Sequence, residues 1–200
     1  VKKSILNQDI IIPLACIVGA PACDQNKQLA TDINFEAVKF IADNRDKDQK
    51  IIFPTTNSGY GTTTGDLYCD ENTKLEPVSH YGKTKVDAEA YLLKQENVIT
   101  LRLATVFGMS PRMRMDLLVN DFLYKALTDR YIVLYEKDFK RNYIHIRDVA
   151  DCFLHCIENF EGMKGQAYNA GLDEANLSKG ELADLIKSKV EKFDILESEF

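Results

Sequence analysis

Three features are missing from this 200-residue sequence: an excess of basic residues, a long apolar run and a regular set of cysteines. Lys and Arg number 25 against 31 Asp and Glu, which gives a net charge of −6. Because nucleic acids and anionic membranes bind basic surfaces, the sequence predicts neither as a partner. No run approaches the ~20 apolar residues of a membrane-spanning helix, and no signal-length apolar core follows the first residues. A soluble, cytoplasmic protein is therefore expected.

The five cysteines have no spacing typical of a disulfide framework, and their number is odd. They are Cys16, Cys23, Cys69, Cys152 and Cys156. A chain of this length does not need disulfide bonds for stability, which again favours a reducing compartment. Cys152, His155 and Cys156 lie within one helical turn, but no second pair of ligands accompanies them. No metal site is therefore predicted.

Strand and helix patterns alternate through the first half of the chain. An apolar run at 9–15 predicts a strand buried on both faces, and the runs at 51–53 and 98–103 predict two more. Apolar stripes at helical spacing predict helices over about 27–43 and, capped by Ser79, over 79–95. The stripes are Leu29, Ile33, Ala37, Phe40 and Ile41 in the first helix, and Val86, Ala90 and Leu93 in the second.

This alternation implies parallel strands joined by right-handed crossovers. The predicted fold class is therefore α/β, a Rossmann-like doubly wound parallel sheet whose ligand site lies beyond the carboxyl ends of the strands.

The pattern changes after Gly108. A helix near 116–128, strands near 131–135 and 142–146, and a helix near 147–159 are predicted. A short strand at 168–171 and a helix with capping-box spacing from Ser178 to Glu181 follow. We therefore expect residues 1–108 to belong to a dinucleotide-binding domain. Residues 109–200 are expected to form mainly a smaller α/β substrate-binding region, with elements that return to the Rossmann sheet.

Tyr81 and Lys85 have the spacing of residues that share one face of a helix. A phenol has an ordinary pKa of about 10, and a nearby cation favours the phenolate. Lys85 would thus make Tyr81 a usable acid and base near neutral pH. The spacing also occurs in pairs of ordinary surface residues, so its context decides between the two interpretations.

That context is a hydroxyl-rich segment, 55–58, which follows the preceding strand. A hydroxyl at this place would hydrogen-bond a reacting alcohol or carbonyl. Because strand-end loops of a parallel sheet converge, the segment and the Tyr81 helix are expected to meet at one site.

Together these motifs resemble the extended short-chain dehydrogenase/reductase family, in particular its NAD-dependent nucleotide-sugar epimerases and dehydratases. The resemblance covers nearly the whole chain. The matching segments are the hydroxyl-rich 56–61, the Tyr-x-x-x-Lys of 81–85, Leu14-Ala15-Cys16, the stretch 102–108 after the third strand, and the Arg-Asn-Tyr-Ile-His stretch from Arg141.

The resemblance implies roles for individual residues. Thr56 would orient the substrate oxygen, Tyr81 would exchange its proton, and Lys85 would bind the nicotinamide ribose and tune Tyr81. The other residues expected beside the cofactor are Leu14, Ala15, Cys16, Thr55, Leu103 and Ala104. The residues expected to bind substrate are Asn57, Ser58, Thr105, Leu117 and Arg141.

The resemblance also implies the ligands and the assembly. The expected cofactor is NAD, with NADP not excluded, and the expected partner is a nucleotide sugar. Arg141 would pair with its diphosphate, although a solvated strand end also explains an arginine there. A homodimer is expected through helices such as 27–43 and 79–95.

Two departures from the family pattern bear on the reaction. Asn57 and Ser58 stand where the 4,6-dehydratases carry an Asp-Glu pair, and elimination of water needs an acid and a base. An epimerase that works through a keto-sugar intermediate is therefore favoured. A sugar or small-alcohol dehydrogenase/reductase of the same family and a non-catalytic cofactor-sensing relative stay open. Thr105 replaces an Asn of many relatives and leaves the sugar open.

The third departure concerns the cofactor phosphates. Nothing before the strand at 9–15 supplies the first strand and glycine-rich turn of such folds. The stretch 59–65 imitates a dinucleotide fingerprint, but its spacing is wrong and no helix pattern follows, so it is rejected as the phosphate loop. The expectation is a chain truncated at both ends, without the N-terminal βαβ unit.

Overall fold

Four parallel strands form the sheet of the first of two structural units in the computed structural model, which describes residues 1–62 and 68–198. The first unit comprises Val1–Leu103 and Asp151–Ala170, and the second Ala104–Ala150 and Gly171–Phe200. A long polar loop is predicted to about residue 78, and its residues 63–67, which include part of the rejected glycine stretch, lie outside the described residues. The assignment of substrate binding to residues 109–200 stays a prediction.

The elements of the first unit alternate as the sequence predicts. They are α1 (Lys2–Ile5), β1 (Ile10–Ile11), α2 (Ala20–Gln25), α3 (Lys27–Thr31), a π-helical segment (Asp32–Glu36), α4 (Ala37–Asn44), β2 (Lys50–Thr56), a 3-10 turn (Asn57–Tyr60), α5 (His80–Leu92) and β3 (Val98–Leu103). The chain returns to this unit within α7 (Ile146–Glu158), at Asp151, and continues through α8 (Phe160–Met163) and β7 (Gln166–Ala170). The strand order is β1-β2-β3-β7, and every pair is parallel. The predicted α/β fold class is confirmed.

Each central strand buries side chains on both faces because successive residues point to opposite sides. In β2, Ile51 and Phe53 join the core beside α4 and α5, whereas Ile52 joins the core beside α7 and α8. In β3, Val98 faces the first core and Ile99 the second. The continuous apolar runs at 51–53 and 98–103 follow from this double burial.

Two predictions for the first unit need correction. The strand expected at 9–15 is only Ile10–Ile11, and its ladder with β2 ends before Pro13, which has no N–H to donate. The helix expected over 27–43 is divided into α3, the π-helical segment and α4. Its buried residues are Ala30, Asn34, Val38 and Ala42.

Two residues of the predicted stripe of that helix lie outside the core, whereas Ile41 packs against it. Leu29 and Phe40 keep 45% and 44% of their surface exposed. In α5, Ala90 is exposed and Val86 is half-buried. Apolar spacing therefore identified both helices, but not the faces that they bury.

The second unit is the smaller of the two. Its elements are β4 (Thr105–Phe107), α6 (Leu118–Thr128), β5 (Tyr131–Leu134), β6 (Lys140–His145), a 3-10 turn (Asp173–Ala175), β8 (Asn176–Ser178), α9 (Lys179–Lys187) and β9 (Asp194–Glu197). Strands β4, β6 and β8 form one sheet, and β5 pairs with β9. The capping box of Ser178 and Glu181 at the start of α9 is confirmed. Among the described helices, none is long and apolar enough to cross a membrane.

Tyr143 on β6 is an unusual member of the second unit's core. Only 2% of its surface is exposed, and its hydroxyl has no hydrogen-bond partner within residues 1–62 and 68–198. Burial raises the pKa of this phenol, against a smaller opposing effect of Arg141. An unpaired buried hydroxyl costs free energy that a phenyl ring does not.

We therefore expect Tyr143→Phe to raise the free energy of unfolding by about 1 kcal/mol, measured by urea denaturation. Tyr60→Phe is the matched control, because the Tyr60 hydroxyl is also buried but is bonded to Arg102 and Asn169. The control should lose stability. A loss of stability in Tyr143→Phe as well would contradict the assignment of an unpaired hydroxyl.

Candidate active site

Helix α5 carries the two residues that sequence spacing singled out. Its first turn is capped by Ser79, whose hydroxyl accepts a hydrogen bond from the Gly82 N–H at 3.0 Å. Tyr81 and Lys85 are one turn apart, and Tyr81 is half-buried. Lys85 points inward with only 4% of its surface exposed.

Lys85 is buried, and its ammonium forms no ion pair within residues 1–62 and 68–198. It lies 3.9 Å from the centroid of the Phe53 ring on β2. Burial lowers the pKa of Lys85 to about 8, while the Cys16 thiol and the Glu89 carboxylate act in the opposite direction. The environment therefore brings a lysine that is ordinarily fully charged close to its titration range.

Cys16 is the residue of the loop after β1 that interacts electrostatically with Lys85. Burial raises the pKa of the Cys16 thiol, and the Lys85 charge opposes this rise. The thiol donates to the Ile17 carbonyl at 3.4 Å. Leu14 and Ala15 of the same loop are exposed.

Two glycines allow the turn after β2 to approach α5. A β-carbon on Gly82 would lie 3.2 Å from the Ser58 carbonyl oxygen, and one on Gly59 would lie 2.9 Å from the Val86 side chain. A larger side chain at either position would force α5 away from the turn after β2. Glycine therefore sets the close packing of the Tyr81 helix against the hydroxyl-rich segment.

The hydroxyls of that segment differ in their bonding. Thr56 Oγ1 accepts a hydrogen bond from the Ser58 N–H at 3.1 Å, which fixes the side chain at the start of the turn. Thr55 Oγ1 is buried and has no partner in the part of the chain that the structure describes. Asn57 and Ser58 are half-buried in the 3-10 turn, and Leu103 at the end of β3 pairs in register with Thr56.

Asn34 is a residue of this region that the sequence analysis missed. It is buried in the π-helical segment, where its amide accepts from the Ile17 N–H at 2.8 Å and donates to the Ile17 carbonyl at 3.0 Å. It also donates to Thr84 Oγ1 on α5 at 3.3 Å. Asn34 thus links the loop that carries Cys16 to the helix that carries Lys85. The signal available in the sequence was a polar residue four positions after Ala30 and four positions before Val38.

A second buried polar network was also missed. The Arg102 guanidinium on β3 binds the Glu89 carboxylate on α5 through contacts of 2.7, 3.0 and 3.3 Å. Its Nη1 donates to the Tyr60 hydroxyl at 2.9 Å and to the Glu71 carbonyl at 3.0 Å. Tyr60 in turn donates to Asn169 Oδ1 on β7 at 2.7 Å. The network connects α5, two strands and the segment that carries Glu71.

The other predicted site residues belong to the second unit. Ala104 is buried, and Thr105 on β4 pairs in register with Tyr143. Leu117 caps α6, and its carbonyl accepts from the Asp121 N–H at 2.8 Å. Arg141 on β6 is exposed, with its guanidinium 5.1 Å from the centroid of the Phe139 ring. Their assignment to cofactor or substrate stays a prediction.

The first unit's residues fit the nicotinamide half of a dinucleotide cofactor. Thr55 supplies a buried hydroxyl without a partner among the described residues, and Lys85 supplies a cation whose side chain is 4% exposed and lies over the Phe53 ring. Both lie on elements that meet beyond the carboxyl ends of parallel strands, where such cofactors bind. For metals, no cluster of three His, Cys, Asp or Glu side chains occurs within the described ranges.

The parallel sheet, with helices packed against both of its faces, is that of a Rossmann-type fold. The model of the NAD dependent epimerase/dehydratase family matches residues 2–171. The chain belongs to this family, as its resemblance predicted, and the cofactor class named in the prediction is the one that the family uses.

One curated relative is an uncharacterized UDP-glucose epimerase, YtcB, of Bacillus subtilis (strain 168). It is 28% identical over 145 residues, which cover 70% of this chain and 42% of the relative. The chain therefore spans less than half the length of this relative.

Solved structures of both kinds of family enzyme, epimerases and dehydratases, share the fold of this chain. UDP-glucuronic acid 4-epimerase from Bacillus cereus, solved with UDP-glucuronic acid and NAD, has a TM-score of 0.81 at 22% identity, covering 98% of this chain and 65% of that one. UDP-N-acetylglucosamine 4-epimerase from Methanobrevibacter ruminantium M1 has a TM-score of 0.82 at 19% identity, covering 99% and 66%. The dTDP-glucose 4,6-dehydratase from Bacillus anthracis has a TM-score of 0.75 at 18% identity, covering 96% and 61%.

Thr55 and Thr100 form a matched pair for a test of the cofactor site. Both hydroxyls are buried and have no hydrogen-bond partner among the described residues. Thr100 pairs in register with Phe53 inside the sheet, whereas Thr55 lies at the carboxyl edge of the sheet. We expect Thr55→Val and Thr100→Val each to stabilise the cofactor-free protein by about 1 kcal/mol. Only Thr55→Val should weaken NAD binding, by about tenfold, in calorimetric titration. Equal NAD affinity in both variants would remove Thr55 from the cofactor site.

Proposed function

We propose that the protein is an NAD-dependent nucleotide-sugar epimerase that oxidises a sugar carbon, exposes the resulting keto group on its other face and reduces it again. The family membership and the nucleotide-sugar names of the similar proteins support the substrate class.

The observation that carries this proposal is the buried Lys85 ammonium on the face of α5 that also carries Tyr81. A cation close to a phenol stabilises the phenolate, and in a site shielded from water the stabilisation is stronger. Lys85 forms no ion pair with a carboxylate of the described residues, so its charge acts on its other neighbours. The arrangement suits a phenol that accepts and returns a proton near neutral pH.

The proposed roles of the other groups follow from their places. Thr56, fixed by the Ser58 N–H, would hydrogen-bond the sugar hydroxyl and hold it toward Tyr81. When bound, NAD supplies reversible hydride acceptance at the sugar carbon. Tyr81 would take the hydroxyl proton as the carbon is oxidised, and it would return that proton after the sugar has turned.

Asn57 and Ser58 support epimerisation over dehydration. A dehydratase removes a proton from carbon and protonates a departing hydroxyl, and both steps need groups with accessible acid or base chemistry. An amide and an aliphatic hydroxyl at the turn after β2 do not supply them. Epimerisation needs the hydride step but no additional acid or base of this kind.

The nucleotide part of the substrate is proposed to bind residues of the second unit. The exposed guanidinium of Arg141 suits a diphosphate, because its donors match phosphate oxygens in pairs. Thr105 and Leu117 are proposed as further contacts.

The test is incubation of the intact protein and NAD with UDP- and dTDP-sugars. We expect conversion to the epimer without accumulation of NADH absorbance. Tyr81→Phe should lower turnover by at least ~10²-fold, because the acid–base group is lost. Tyr91→Phe is the matched control, since Tyr91 lies on the same helix and bonds Asp43 at the surface.

Four results would count against the proposal. Steady NADH accumulation would identify a dehydrogenase of the same family. Formation of a 4-keto-6-deoxy sugar would identify a dehydratase. Unchanged turnover in Tyr81→Phe would remove Tyr81 from the reaction, and binding of NAD without any turnover would favour the cofactor-sensing alternative.

We also propose that the protein is a homodimer. The exposed stripe of the 27–43 helix, with Leu29 and Phe40, leaves apolar surface that a second copy would cover. We expect light scattering to give twice the chain mass for the wild type and the single mass for Leu29→Glu/Phe40→Glu. Leu185→Glu, at an equally exposed position on α9, is the control and should stay dimeric. A monomeric wild type would refute the proposal.

A further inference from the structure

Helix α5 buries two opposite charges one turn apart. Lys85 and Glu89 keep 4% and 2% of their surface exposed. Side chains at i and i+4 on a helix are neighbours, and a lysine and a glutamate at this spacing ordinarily pair. In this helix the Glu89 carboxylate pairs with Arg102 instead, at 2.7 Å.

Arg102 is held in place from several sides. Its guanidinium lies 5.3 Å from the centroid of the Tyr60 ring, and Nη1 donates to the Tyr60 hydroxyl and to the Glu71 carbonyl. Asn169 accepts from Tyr60, and its N–H donates to the Glu71 carboxylate at 2.7 Å. Burial lowers the pKa of Arg102, but the hydrogen bonds with Glu89 and Tyr60 outweigh it and raise the pKa. The guanidinium is thus a permanent, fixed charge.

The position of Arg102 in the sheet relates it to the candidate site. It pairs in register with Thr55 on one side and with Asn169 on the other. The next register pair is Thr56 with Leu103. Arg102 therefore stands at the carboxyl edge of the sheet, directly beside the residues proposed to bind cofactor and substrate.

A buried ion pair is a poor device for stability alone. Two charges lose their hydration, and apolar residues of similar volume often stabilise a fold as well or better. The removal of one partner, by contrast, leaves the other charge buried and uncompensated. For Glu89 the buried cation one turn away on the same helix is Lys85.

We propose that Arg102 is a positioning residue for the Tyr81–Lys85 pair: by binding the Glu89 carboxylate, it keeps that carboxylate from pairing with Lys85. Lys85 is thereby left to act on Tyr81 and on bound ligands. The inference rests on the proposed function in taking Lys85 as part of the acid–base pair.

The sign of the effect follows from the groups around Lys85. Cys16 faces it from the loop after β1, Phe53 from β2, and Tyr81 and Glu89 lie on its own helix. Arg102 stands behind Glu89. A carboxylate freed from Arg102 would favour the charged lysine and raise its pKa, whereas loss of the carboxylate would lower it. Removal of both charges together should largely cancel.

The experiment is a double-mutant cycle in the intact protein, read by NMR titration of isotope-labelled lysine with Lys85 assigned by Lys85→Arg. The wild type should titrate near the pKa of about 8. We expect Arg102→Met to raise the pKa of Lys85 by about one unit or more, Glu89→Gln to lower it, and Glu89→Gln/Arg102→Met to return it toward the wild-type value. Arg102→Lys, which keeps a cation, should stay close to wild type.

The same variants also distinguish a positioning role of Arg102 from a purely structural one. In turnover assays Arg102→Met should lower kcat about tenfold with little change in KM, and addition of Glu89→Gln should restore part of this loss. A Lys85 pKa unchanged in Arg102→Met, or equally raised in the double variant, would overturn the proposal. If Arg102→Met does not fold, Glu89→Gln and Arg102→Lys still test the sign.

The titration needs neither substrate nor turnover. A protein that shows the expected pattern of Lys85 pKa values but no reaction with nucleotide sugars would refute the proposed function and leave this inference standing. The reverse result, turnover with an unresponsive Lys85, would refute the inference alone.

Discussion

The burial of one lysine ammonium under α5 is the constraint on which the candidate site depends. A cation moved from water into the interior loses hydration that only a partner can replace. Lys85 has the face of the Phe53 ring, which compensates a desolvated cation in part. The remaining cost appears as the lowered pKa, and the rest of the fold must hold the helix in place against it. Stability given up at such a place is typical of a functional site.

Three separate devices hold α5 against the sheet. Gly59 and Gly82 remove the side chains that would separate the helix from the turn after β2. Asn34 of the π-helical segment bonds Thr84, and Arg102 of β3 bonds Glu89. Two of the three are buried polar contacts, which require their partners at a fixed distance and angle. They define the position of the helix more narrowly than apolar packing would, and that matters where a phenol must meet a sugar hydroxyl.

The sequence was sufficient for the order and type of the main elements because period and turn residues are local signals. It also located Tyr81 and Lys85, since helical spacing is local too. It did not reveal Asn34, Arg102 or Glu89, whose partners lie on other elements, 50 residues away for Thr84 and 13 for Glu89. The buried faces of the helices were misjudged because apolar residues also cover the outer side of the 27–43 helix. Local patterns identify elements, whereas pairings between elements decide which side is buried.

The turn after β2 is where the two reactions of the family would diverge. The hydride step needs a phenol, a lysine and an oriented hydroxyl, and these groups do not distinguish an epimerase from a dehydratase. The distinction requires a further acid and base beside the sugar, and Asn57 and Ser58 are the first two residues of the turn that packs against α5. In the proposed epimerase, the amide and the hydroxyl at those two positions are the reason why the reaction goes no further than reversible hydride transfer.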